Sequence, residues 1–118
     1  MSADHLLYLC GPMTGLPLNN HPAFIEAADR LRRAGYLVVS PIGNGLLPDA
    51  PWISHMRADI AMMVSTCDSV ATLAGCENSK GAQVEITLAR GLGWTVASVD
   101  DWIEWAKIHR AVESELQP

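Results

Sequence analysis

His5-Leu6-Leu7-Tyr8-Leu9-Cys10, running straight into Gly11-Pro12-Met13-Thr14-Gly15, is the stretch that decides the fold class. A near-continuous apolar run closed by a loop with two glycines has the look of a strand buried on both faces of a parallel sheet. The rest of the chain repeats that theme. Apolar runs alternate with segments of helical period, which is the signature of a parallel sheet covered by helices.

After the first loop, Asn19-Asn20-His21-Pro22 offers an N-cap with proline near the first turn. The spacing predicts a helix from about Pro22 to Ala34 with Phe24, Ala27, Ala28 and Leu31 inward. Arg30, Arg32 and Arg33 lie near its C-terminal end, where the helix dipole favours cations, and Gly35 follows as a cap. Tyr36 to Ser40 reads as the second strand. Pro41 to Pro51 is an irregular loop, long enough to form a wall over a site. A second helix is expected from Trp52 to Thr66, with Ile53, Met56, Ile60, Met63 and Val64 inward. A third strand follows at Asp68 to Leu73, then a helix from Lys80 to Leu92 and a fourth strand at Trp94 to Val99. The last helix, Asp100 to Leu116, carries the stripe Trp102, Trp105, Ala106, His109, Val112 and Leu116. Its tryptophans can cover the sheet or form a subunit contact. The expected fold is flavodoxin-like α/β, a three-layer sandwich on a parallel sheet of four or five strands, with residues 1–118 forming one domain.

Within the stretch Gly75-Cys76-Glu77-Asn78-Ser79-Lys80-Gly81-Ala82-Gln83-Val84-Glu85, one acid stands out. Asn78 and Ser79 are good N-caps. On the helix they open, the neighbours of Glu85 one turn either way are Gly81, Ala82, Leu88 and Ala89. None is charged, so Glu85 shares a face with small and apolar residues and points toward the sheet or a cleft. A carboxylate there is costly unless it is paired or used. A buried Glu satisfied by a backbone N–H or by a second subunit is the plainer alternative. Gly81 and Ala82 leave room for a ligand to approach.

The totals exclude several classes. The chain of 118 residues is 49% hydrophobic and only 18% charged, with a net charge of -5, which describes a globular protein and not a disordered one. The eight basic residues form no dense run, so duplex nucleic acid is not the expected partner. Cys10, Cys67 and Cys76 are odd in number and lack zinc-like spacing; they read as reduced thiols of a cytoplasmic protein. The first residues, Met-Ser-Ala-Asp-His, lack a signal-peptide pattern, and no apolar run reaches ~20 residues, so no membrane association is expected. His5, His21, His55 and His109 are scattered without the pairing a zinc helix uses, and neither a metal nor a cofactor is expected. The glycines fit neither a dinucleotide fingerprint nor a P-loop.

Parallel open sheets bind ligands outside the carboxyl ends of their strands, where the three loops after the first three strands should gather. At this point the chain resembles the nucleoside 2-deoxyribosyltransferase-like superfamily, and within it a small, often phage-borne branch. The resemblance covers nearly the whole chain. It rests on Tyr8-Leu9-Cys10-Gly11-Pro12-Met13-Thr14-Gly15, Asn20-His21-Pro22-Ala23-Phe24, Ala27-Ala28, Leu31-Arg32, Trp52, Met56-Arg57-Ala58-Asp59-Ile60, Cys67-Asp68, and Gly75 through Ala82 with Glu85. It implies cleavage of the N-glycosidic bond of a 2′-deoxynucleoside or its 5′-monophosphate, with a nucleoside or nucleotide as partner and a homodimer or larger homo-oligomer as the assembly. It also implies roles. Glu85 matches the acid that attacks the anomeric carbon, Asp59 the acid that handles the departing base or orients the sugar, and Tyr8 the aromatic that positions the nucleophile. Ser79 matches a serine that contacts phosphate in the monophosphate-cleaving branch.

The expected substrate-binding set is Gly11, Pro12, Met13, Asn20, Trp52, Ser79 and Gly81. Monophosphate-cleaving relatives carry a polar, basic first loop, whereas Pro12, Met13 and Thr14 stand here, so the need for phosphate stays open. Cys76 stands where the small branch often has Trp. Each candidate also has a structural reading. Asp59 can be a surface partner of His55 four residues earlier, Tyr8 can be core, Trp52 can pack or stack on a base, and Asn20 can orient the first helix. A non-catalytic nucleotide-binding protein using the same pocket is the rival to the enzyme.

Overall fold

The first strand, β1 (Leu6–Cys10), sits in the middle of the sheet and is buried along nearly its whole length. The structure, a computed structural model, describes residues 5–116. On one side β1 pairs with β2 (Leu37–Val39), and on the other with β3 (Ser69–Thr72), which in turn pairs with β4 (Thr95–Ser98). All pairs are parallel and the order is β2-β1-β3-β4. Four helices connect and cover the strands: α1 (His21–Arg33), α2 (Trp52–Thr66), α3 (Lys80–Gly91) and α4 (Val99–Leu116).

The topology follows from the handedness of crossovers. The step from β1 to β2 runs one way across the sheet, and the steps from β2 to β3 and from β3 to β4 run the other way. Right-handed connections therefore place α1 on one face and α2 and α3 on the opposite face. α4 returns to the face of α1. This is a flavodoxin-like three-layer α/β sandwich with a four-stranded parallel sheet. The direction of winding changes between β1 and β3, so the edge at their carboxyl ends is the natural place for a site.

The period-two alternation of β1 divides the core. Leu7 and Leu9 join Phe24, Ala27, Ala28 and Leu31 of α1 and Trp102 and Ala106 of α4. Tyr8 and Cys10 face the other way, toward Met63 of α2 and Ala82, Ile86 and Ala89 of α3. Trp102 is a keystone of the first layer. Its Nε1–H donates to the Val70 carbonyl at 2.9 Å and its own carbonyl accepts from the Tyr36 hydroxyl at 2.7 Å.

Two expected stripes are corrected. On α2, Ile53 and Val64 are 49% and 46% exposed, and the buried residues are Met56, Asp59 and Met63. α2 is apolar on more than one side, so periodicity alone does not choose the inward face; the sheet chooses it. On α4 only Val99, Trp102 and Ala106 are buried, while Trp105, Val112 and Leu116 are 39%, 49% and 79% exposed. The expected N-cap is corrected too. Asn20 adopts φ 60° and makes no capping bond, so its side chain is free for another task. Strand and helix ends otherwise match within a residue or two, the usual fraying of such boundaries.

Candidate active site

α3 starts on a firm cap: the Ser79 Oγ accepts from the Ala82 N–H at 3.2 Å. Counting from that cap, Ala82, Glu85, Ile86 and Ala89 fall on the buried side. The same helical face that presses alanines and an isoleucine onto the sheet thus carries a carboxyl group down onto β1. Glu85 is 5% exposed. Its two oxygens are held by the two β1 side chains that share this face. The Tyr8 hydroxyl donates to Oε2 at 2.8 Å, and the Cys10 thiol donates to Oε1 at 3.3 Å.

Burial dominates the electrostatics. It pushes the Glu85 carboxyl from its ordinary 4.5 up to about 7; the hydrogen bonds from Tyr8 and Cys10 work against that rise, and the charge of Asp59 adds to it. Burial, with the neighbouring Glu85 charge second, also pushes the Tyr8 phenol and the Cys10 thiol far above their usual ranges. Both therefore remain donors at any physiological pH.

Asp59 lies on the buried side of α2 at 8% exposure, so it is not a surface partner of His55. Burial raises its carboxyl value as well, opposed by a hydrogen bond from Asn44 and by His55. Asn44 belongs to the irregular loop between β2 and α2. Its Nδ2 donates to Asp59 Oδ1 at 2.9 Å and lies 3.1 Å from His55 Nδ1. Two acids, on adjacent helices, are thus held out of bulk water on one face of β1, each supplied with donors. A pair of carboxyl groups whose values are both raised by burial is suited to acid, base or nucleophilic work near neutral pH.

The remaining expected residues divide. Asn20 pins the first loop, its Nδ2 donating to the Pro12 carbonyl at 2.9 Å. Pro12 in turn lies against Gly75, whose added Cβ would meet Pro12 Cγ at 3.3 Å, so the first and third loops touch. Met13 turns to the other face and packs against the α1 and α4 core, away from the acids. Gly11 serves a close approach: a Cβ there would stand 2.7 Å from Leu73 Cβ. Space at Gly81 is taken by Met56, whose Sδ would lie 3.1 Å from an added Cβ, with Trp52 Nε1 at 3.8 Å. The glycine thus lets α2 close on α3 and leaves no opening of its own. Trp52 is 40% exposed, and the Lys80 Nζ sits 4.6 Å from its ring centroid.

Sequence reasoning missed Cys10 and Asn44 as parts of the site. Cys10 was findable, since residues 8 and 10 of one strand must share a face. Asn44 was not, because it sits in a segment without periodicity, between two glycines. An apolar groove of about 320 Å³ lies elsewhere, lined by His5, Thr95, Ala97, Asp101, Trp102 and Trp105 on the α4 side. None of the acid cluster lines it. Among the described residues no group of three or more His, Cys, Asp or Glu is arranged to hold a metal, and no helix is long and apolar enough to cross a membrane.

A family model described as a domain of unknown function (DUF4406) matches residues 5–98. No curated protein and no solved structure matches the chain.

Proposed function

This chain belongs to the DUF4406 family, a domain of unknown function, and from its acid cluster we propose that it cleaves the N-glycosidic bond of a 2′-deoxynucleoside or its 5′-monophosphate. The observation that carries this is the buried Glu85 carboxyl held by the Tyr8 hydroxyl at 2.8 Å. The resemblance to the nucleoside 2-deoxyribosyltransferase-like superfamily assigns those two residues the roles of nucleophile and orienting aromatic, and it makes Asp59 the acid.

The chemistry runs in two steps. A Glu85 oxygen bonds to C1′ as the C1′–N bond breaks. The bonding pair leaves with the base, which takes a proton from Asp59. A carboxylate is the natural counter-charge to the oxocarbenium-like centre that develops on the sugar. Water then attacks C1′, gives its proton to Asp59 and releases Glu85 as carboxylate. Attack by a second base in place of water gives transfer. This is the logic of a retaining glycosidase.

The test is to incubate the protein with deoxynucleosides and their monophosphates and to follow free base. Release by wild type that disappears in Glu85→Gln is expected. No release, or release unchanged by that substitution, overturns the proposal. One observation favours a second reading, a binding protein without turnover: the first loop carries Pro12, Met13 and Thr14 where the monophosphate-cleaving relatives it resembles are polar and basic. A nucleotide that raises the melting temperature yet stays intact on long incubation would select that reading. The exposed stripe of Trp105, Ile108, Val112 and Leu116 on α4 supports self-association, for which light scattering at tens of micromolar is the check.

A further inference from the structure

We propose that Asn44 is a positioning residue for Asp59: it caps one carboxyl oxygen so that the catalytic proton is carried on the other. This rests on the reading of Asp59 as the acid.

The hydrogen bonds around Asn44 form a closed set. A carbonyl oxygen only accepts, so His55 Nε2, 3.1 Å from the Leu47 carbonyl, carries the ring proton. In the neutral ring Nδ1 is then a bare acceptor. The Asn44 Nδ2 group has two hydrogens. One goes to His55 Nδ1 at 3.1 Å and the other to Asp59 Oδ1 at 2.9 Å. The Asn44 Oδ1 accepts from the Leu46 N–H at 3.0 Å, which rules out the flipped amide. Every polar atom of the Asn44 side chain is used, and its orientation is over-determined.

The consequence falls on Asp59. Its Oδ1 already receives a donor and cannot also hold a proton toward Asn44. In the acid form the Asn44 donor favours the proton on Oδ2, which has no hydrogen-bond partner among the described residues. The other titratable groups that bear on Asp59 are Glu85 on α3, Tyr8 on β1 and His55 on its own helix. None of them donates a hydrogen bond to it. Asn44 is therefore the group that distinguishes the two oxygens.

The loop is built to deliver that amide. Gly43 and Gly45 flank it at φ 82° and 86°, a conformation in which side-chain-bearing residues are strained. From Gly43 to Asp49 every residue except Asn44 is exposed. This stretch is held over α2 by polar bonds to His55 and Asp59, one helical turn apart.

Asn44→Asp tests the proposal with little change of volume. An aspartate keeps the acceptor for the Leu46 N–H, loses the donor to Asp59 and adds a like charge. The Asp59 titration midpoint, followed by carboxyl-carbon NMR, should rise by about one unit or more. Where wild type releases base, kcat should fall at least roughly tenfold, with KM within about threefold and the alkaline limb of the pH profile displaced upward. A midpoint and an alkaline limb that do not move overturn the proposal while leaving the glycosidase reading standing. Absence of release by wild type overturns that reading, and the midpoint still decides whether Asn44 controls Asp59. A variant that does not fold leaves a measurement on wild type. The imidazole nitrogen spectrum must show the His55 proton on Nε2, and a proton on Nδ1 refutes the network.

Discussion

Glu85→Gln should stabilise the protein at pH 8. The sign follows from where the proton sits. The Glu85 carboxyl titrates at about 7 in the folded chain against an ordinary 4.5. Between those values the folded protein keeps a proton that the unfolded chain has released. Stability therefore falls as pH rises through this window, and above about pH 8 the full penalty of a buried carboxylate is present. The interval from 4.5 to about 7, at about 1.4 kcal/mol per pH unit, corresponds to about 3 kcal/mol. Glutamine has nearly the same shape, its amide oxygen still accepts from Tyr8, and it has no charge to desolvate. Urea unfolding of wild type and variant at pH 5, 6, 7 and 8 measures the effect. The two proteins should lie within about 1 kcal/mol at pH 5 and separate to about 3 kcal/mol at pH 8, or roughly 10 °C in Tm for a chain of this size. A difference that stays constant across the range, or a variant less stable than wild type at pH 8, would refute the claim that Glu85 is a desolvated carboxyl.

Tyr8→Phe removes the donor to Oε2; the Glu85 midpoint should climb above about 7, and stability at pH 8 should drop by about 1–3 kcal/mol, both readable by NMR titration and urea unfolding. Gly11→Ala places a Cβ 2.7 Å from Leu73 Cβ, so the urea midpoint should fall by the equivalent of about 1–3 kcal/mol; an unchanged midpoint would mean that the end of β1 yields freely. Ser79→Ala deletes the α3 cap and should cost about 1 kcal/mol, with Ser79→Thr restoring most of it.

The layers of the fold were legible because each is a local signal. The apolar run at residues 5–10 announced a buried strand, and the alternation of runs and helical periods announced the parallel sheet. Ser79 announced a helix start, and the Glu85 neighbours announced an acid facing inward. Elsewhere local signals misled. Ile53 and Val64 read as inward because they are apolar, yet Asp59 takes the buried position between Met56 and Met63. Met13 read as part of the site because its loop is, yet it packs on the opposite face.

The sequence by itself determined which helix face would carry Glu85 inward, since a period of 3.6 residues is set by the backbone and needs no partner. Only the tertiary structure decided what that carboxyl meets. Tyr8 and Cys10 are more than seventy residues away along the chain, and a crossover from β3 back over the sheet is needed to lay α3 on them. Asn44 is the extreme case: a residue in a loop without period acquires its role from the helix it is folded against, and no spacing within its own segment encodes that contact.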